Sequence, residues 1–245
     1  ASAGVSVGTS VATDGYEDYS GGTWEPLPEV AMTSSEARPH DPPRAKLKIL
    51  ILCGGPNSRE NSLFQLFNGS AVFECVNYDL RNGQHFDLTD DAVHDPLVIS
   101  VDEGEYVACF ACPDCSTFSK LHSLPGPPPY RDVEGRGRYG RGDLTPAREE
   151  KARRQTIVVT RIARLLVSLT KQRIPWIFEA PWATAKMVSV LNLDEYAAII
   201  ATEGVKVTKG MQCGFGAESS KPTAWVNYRA DVSDMHDRCK HIKRH

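Results

Sequence analysis

Apolar residues along the chain fall into short unbroken runs separated by longer stretches of helical period. Residues 46–53 read KLKILILC, short, β-rich and almost wholly apolar, and lead into Gly54-Gly55-Pro56. That pattern predicts a parallel strand buried on both faces and feeding a tight loop. Residues 58–67, SRENSLFQLF, place Leu63, Phe64 and Phe67 on one helical face, with Ser58 or Asn61 as cap. Residues 71–79, AVFECVNYD, predict a second strand ending in an acid, and Asp87 follows eight residues later. Residues 105–111, EYVACFA, predict a third buried strand that delivers the chain into CPDCSTFS. A Pro-, Gly- and Arg-rich segment, residues 124–144, comes next. A structureless loop of that length inside a domain is functional or disordered. Residues 145–171 then predict an amphipathic helix with Ile157, Ile162, Leu165, Leu166 and Leu169 on its buried face and a basic first half. WIFEAP predicts a strand with Glu179 at its end. LNLDEYAAIIATEG predicts a helix stopped by Gly204, and VKVTKGMQCGFG with TAWVNY predict a terminal strand pair.

Strands alternating with helices predict an α/β sandwich on a mainly parallel sheet. Ligands of such sheets bind at the carboxyl ends of the strands. Gly54, Gly55, Asp79, Asp87, Cys115 and Glu179 all fall at or just past such ends.

Residues 1–45 lack this pattern. They are rich in Ser, Gly, Thr and Pro and hold seven acids against two arginines, which leaves 24 acids and 26 bases for the rest. They read as a flexible acidic arm before a mildly basic domain over residues 46–245. Net charge is −3, so bulk charge alone does not mark a nucleic-acid binder. Seven cysteines, an odd number in a chain this large, favour free thiols or metal ligands in a reducing, intracellular compartment, nucleus or cytoplasm. No apolar run reaches membrane-spanning length, and the first residues lack the basic and apolar regions of a signal peptide. The chain opens without Met and reads as a piece of a longer polypeptide.

The glycine turn after the first strand lets backbone approach a ligand closely, and Asp79 at the end of the second can take ribose hydroxyls. GGPNS is not GxGxxG, so a nucleoside cofactor without phosphates, such as S-adenosylmethionine, fits better than a dinucleotide. Of the three cysteines spaced CxxCxxC, Cys109 lies inside a strand and reads as core packing. Cys112 sits at the strand edge. Cys115 sits in the loop beyond Pro113. A nucleophilic thiol needs cations or helix dipoles nearby, which the arginines of residues 131–141 and the basic helix start would supply. Three ligating sulfurs of an iron–sulfur or other metal site are the competing reading. Glu179 is either a structural acid or a carboxyl that binds the amidine edge of a base.

Several short motifs, in order, resemble the C5-cytosine methyltransferase superfamily, and more closely a compact branch of it found in phage, algal and retroelement contexts. Pro113, Cys115, Ser116, Phe118 and Ser119 resemble PPCSxFS. GGPNSRENSL resembles the branch's GPxxR cofactor loop, Gly126–Arg131 its GPPPxR loop, and PWIFEAP its PWxxENP. Gln212–Gly216 with Lys221-Pro222-Thr223 resemble QCxFG…KPT, and Arg238, Cys239, His241 and His245 resemble its closing RCxH…H. The resemblance spans roughly residues 47–245. It implies a Rossmann-like S-adenosylmethionine-dependent fold that methylates cytosine in nucleic acid, DNA ahead of RNA, as a module of a mobile-element or viral polyprotein. By the same resemblance Cys115 attacks C6, Glu179 hydrogen-bonds the ring near N3, and Gly54, Gly55, Asp79, Asp87 and Pro113 hold the cofactor. Arg131, Arg136, Arg138, Arg141, Gln212 and Lys221 then meet nucleic acid, and the target base leaves its stack to reach the thiol.

The chain departs from the pattern at three places. Asp114 stands where the motif's second Pro is found, and an anion there opposes thiol ionisation. Ala180 replaces the Asn of ENP, and Ile51 stands where many methyltransferases carry an acid in the first strand. Asp114 and Ala180 favour a competing reading, a non-catalytic descendant that serves as a binding or assembly module. The third reading is a cysteine-ligated metal protein, with Cys239, His241 and His245 holding zinc and Cys213 or His236 as the fourth ligand.

Overall fold

The computed structural model describes residues 45–118, 127–212 and 221–235, so all of the acidic arm but Ala45 lies outside the described residues. Six strands form one sheet: β1 (Leu47–Leu52), β2 (Phe73–Tyr78), β3 (Tyr106–Ala111), β4 (Trp176–Pro181), β5 (Val205–Met211) and β6 (Pro222–Tyr228). Their spatial order is β2-β1-β3-β4-β6-β5. β1 pairs in parallel with both β2 and β3, and β3 with β4. β6 runs antiparallel to β4 and to β5. The sheet is mostly parallel but mixed, because β5 and β6 join as a hairpin at one edge.

Among the described residues four α-helices accompany the sheet: α1 (Leu63–Asn68), α2 (Asp91–Asp102), α3 (Pro146–Lys171) and α4 (Asp194–Ile200). The main core lies where α2, α3 and α4 meet one face. Leu50, Leu52, Cys109, Trp176 and Phe178 from the strands pack with Leu97, Ile162, Leu165, Leu166 and Tyr196 from the helices. Full burial of each large apolar side chain contributes about 1.5–3 kcal/mol. Two of the buried polar tips are satisfied within the core: Tyr196 Oη donates to the Val159 carbonyl at 2.9 Å, and Trp176 Nε1 to Thr170 Oγ1 at 2.8 Å. On the other face Ile49, Ile51 and Cys75 pack with Leu63, Phe64 and Phe67 of α1. β1 therefore buries both its odd and even positions, which is why it reads as an unbroken apolar run.

Helix boundaries correct the pattern in detail. α1 starts later than expected, because the cap is Ser62, whose hydroxyl accepts from Gln65 N at 3.2 Å, and not Ser58 or Asn61. Of the predicted α3 face, Ile162, Leu165, Leu166 and Leu169 are buried and Ile157 is half-buried. α2 is an element the pattern did not declare. Pro96 stands in its middle and reads as a breaker, yet Asp90 caps its start and His94, Leu97, Val98 and Val101 are buried along it. Packing of that stripe outweighs the one backbone donor that Pro96 removes.

Candidate active site

The winding of the sheet leaves β2 on one side of β1 and β3 on the other. In an open α/β sheet that reversal opens a crevice at the carboxyl ends of the two strands. A cleft of about 790 Å³ lies there, a volume typical of small-molecule sites. Gly54, Gly55, Asp79, Asp87, Pro113, Cys115, Glu179 and Lys221 all line it. The loops after β1, β2 and β3 and the end of β4 thus bring the expected thiol, carboxylates and glycine turn to one place.

The glycine turn is locked onto β2. Gly55 N donates to Asp79 Oδ2 at 2.8 Å, and Gly54 N to Asn77 Oδ1 at 3.3 Å. Buried Asn77 returns Nδ2 to the Gly55 carbonyl (2.9 Å) and to Asn57 Oδ1 (2.8 Å). Asn82 supports the same turn through Asn57 N. A Cβ on Gly54 would meet Ile51 Cγ2 at 2.5 Å, so the turn sits directly on the core. Gly55 has φ +85° and nothing within 4 Å of a would-be Cβ, so this position opens into the cleft. Asp79 Oδ1 also accepts from Arg81 N at 2.9 Å. Each carboxylate oxygen keeps a further lone pair for a ligand hydroxyl. Open space over Gly55 beside a fixed carboxylate leaves room for a ligand with hydroxyl groups.

Asp87 closes the cleft toward α3. Oδ1 accepts from Thr89 N (2.9 Å) and Thr89 Oγ1 (2.8 Å), and Oδ2 from Arg154 Nη2 (2.8 Å). Burial works to raise this carboxyl, but the Thr89 donors and the Arg154 guanidinium outweigh it and hold it below the usual range.

Cys115 lies half-buried beyond Pro113. Burial pushes its thiol up, the Lys221 ammonium opposes that, and the Asp114 and Glu179 anions add to it. Cys112 is pushed up to about 12, first by burial and then by Glu179. Cys109 is in the core, as expected. Glu179 is held through Oε1, which accepts from Gln212 Nε2 at 3.1 Å and Lys221 Nζ at 3.2 Å. Gln212 and Lys221, expected to contact nucleic acid, are therefore placed on the candidate catalytic carboxylate. Gln212 directly follows β5 and Lys221 directly precedes β6, and nothing in the apolar pattern marks that these strand ends reach the end of β4.

The four arginines expected to meet phosphates separate. Arg131 is 0% exposed and belongs to the interior. Its guanidinium stacks 3.6 Å from the Phe118 ring centroid and donates to Thr117 Oγ1, Thr156 Oγ1 and the Ala152 and Arg138 carbonyls. Burial lowers it to about 9. A surface phosphate role is thus corrected to a structural one. Arg138 pairs with Asp194 at 2.8 Å, and Arg141 with Asp132 and Asp143 at 3.1 and 2.6 Å. Arg136 is exposed. None of the four lines the cleft. Gln155 of α3, which no sequence motif marks, does line it and contacts the thiol loop directly.

Among the described residues no three Cys, His, Asp or Glu side chains form a group able to hold a metal ion. Gly126, Cys213, His236, Arg238, Cys239, His241 and His245 lie outside the described residues. No described helix is long and apolar enough to cross a membrane. A scan of family models, a search of curated proteins and a search of solved structures each returned no match to this chain.

Proposed function

We propose that the chain is a cytosine-C5 methyltransferase-like enzyme that uses S-adenosylmethionine and acts on nucleic acid, DNA first. One observation carries this reading. Cys115, in the loop after β3, and Glu179, on β4, line the same cleft as the Gly54-Gly55 turn and Asp79. A thiol and a carboxylate in one cleft suit addition to a pyrimidine, and an open glycine turn beside a strand-end acid suits an adenosine.

In this reading the Cys115 sulfur adds to C6 of an extruded cytosine, and Glu179 faces N3, where negative charge develops. S-adenosylmethionine, when bound, supplies an electrophilic methyl group for C5. Loss of the C5 proton and expulsion of the Cys115 sulfur restore the ring. Lys221 serves twice. It fixes Glu179 and is the cation that favours ionisation of a thiol otherwise held up by burial. Gly54, Gly55 and Asp79 bind the nucleoside, and Asp87 with Arg154 closes the wall beside it.

Transfer of label from methyl-labelled S-adenosylmethionine into 5-methylcytosine of an oligonucleotide tests the proposal. Label enters C5 with the native chain and is lost in Cys115→Ser. Label at another atom, or transfer that survives the substitution, contradicts it. The raised Cys115 thiol beside Asp114 favours a second reading, a descendant that binds the cofactor without turnover. In the same assay that reading gives saturable binding and no product.

A further inference from the structure

Arg131 and Asp114 are an oppositely charged pair that never touch. Arg131 is fully buried and has no carboxylate partner among the described residues; its recorded bonds go to hydroxyls and carbonyls. Asp114, directly before Cys115, has no cationic partner among the described residues; its recorded donors are Ser116 N (2.8 Å), Ser116 Oγ (3.0 Å) and Gln155 Nε2. Two side chains bridge the gap. Arg131 Nε donates to Thr117 Oγ1 at 3.0 Å, and Thr117 Oγ1 donates to Gln155 Oε1. Thr117 N donates to the same Oε1 at 3.1 Å.

The direction of this chain is fixed by chemistry. A guanidinium only donates, so the Thr117 hydroxyl accepts from it and turns its own proton to Gln155. The Gln155 oxygen is then committed to Thr117, and its NH₂ must face Asp114 Oδ2 and Ser116 Oγ. Gln155 is 9% exposed, so little water competes with the bridge. Every link is polarised in one sense, from buried cation to anion. A buried charge with no opposite charge beside it is costly to keep, so its retention calls for a role.

We propose that Gln155 is a positioning residue for Cys115: with Thr117 it couples the buried Arg131 guanidinium to Asp114 and holds that anion on Ser116 and α3, away from the neighbouring sulfur. The device acts on the one anion of the thiol loop, which together with burial and Glu179 opposes ionisation of Cys115. The inference rests on Cys115 as the working thiol, but its test reads the thiol itself and not methyl transfer, so the two can fail separately.

The test is the pH profile of Cys115 alkylation by iodoacetamide in the full chain, followed at the Cys115 peptide by mass spectrometry. Asp114→Asn removes the anion from an exposed position and lowers the midpoint. Gln155→Ala raises the midpoint, and the nearly isosteric Gln155→Glu, which adds a second anion, raises it further, by about one pH unit for a tenfold loss of rate at fixed pH. In the Asp114→Asn background, Gln155→Ala leaves the midpoint where Asp114→Asn alone puts it. A midpoint unchanged by both Gln155 substitutions overturns the proposal. So does a Gln155→Ala shift that persists undiminished with Asn at 114, because a purely structural glutamine would act regardless of the anion.

Discussion

Two adjacent glycines in the turn after β1 do different work, and a single methyl group tells them apart. At Gly54 it would run into Ile51 Cγ2 at 2.5 Å and Asn77 Oδ1 at 3.0 Å, so the residue is required by packing. At Gly55 it would meet nothing within 4 Å, and only the φ of +85° resists it, at a cost of about 1–2 kcal/mol. The side chain would stand in the space assigned to the cofactor. Gly55→Ala therefore keeps the fold, seen as a small loss in denaturation midpoint, and loses S-adenosylmethionine binding in a calorimetric titration that shows binding for the native chain. Cofactor affinity unchanged in Gly55→Ala would place the nucleoside elsewhere. The arginines carry a second lesson at this scale. Arg131, Arg138 and Arg141 look alike in a basic loop, yet one is interior and two are neutralised by acids within the loop or on α4. Composition records charge and does not record partners, so this part of the expected nucleic-acid surface was not readable from sequence.

At the scale of elements, α3 organises the cleft. Its buried stripe fixes it to the sheet, and its first half sends Gln155 to the thiol loop and Arg154 to Asp87. The Asp87 carboxyl is held down in the folded chain, so its contribution to stability is present above the ordinary aspartate value, about 3.9, and is lost as pH falls through the lower folded value. Asp87→Asn accordingly destabilises the chain by about 1 kcal/mol at pH 7 in urea unfolding. The gap between variant and native chain closes as the pH drops below about 4. A gap independent of pH would mean that Asp87 acts by packing alone. Element by element, β1, β3, β4 and α3 were legible because each carries a continuous or strictly periodic apolar stripe. α2 was not, because Pro96 masks a four-residue buried stripe, and the length of α1 was not, because three candidate caps stand within five residues.

For the whole molecule, the order of strands does what no single motif does. Strand ends were legible, and so was their gathering of Gly54, Gly55, Asp79, Cys115 and Glu179, because sheets of this kind place ligands at carboxyl ends. The mixed edge was not. Pairing direction follows from long-range contacts, and only the antiparallel insertion of β6 between β4 and β5 brings Lys221 and Gln212 onto Glu179. The central claim is that this assembled cleft uses Cys115 as a nucleophile toward cytosine. An oligonucleotide carrying 5-fluorocytosine tests it most directly, since fluorine cannot leave C5 as a proton does and the sulfur–C6 bond persists. With S-adenosylmethionine present, intact-mass measurement should show the chain joined to the methylated oligonucleotide, peptide mapping should place the link at Cys115, and Cys115→Ser should abolish it. A link at another residue, or no link under conditions where the cofactor binds, would contradict the account.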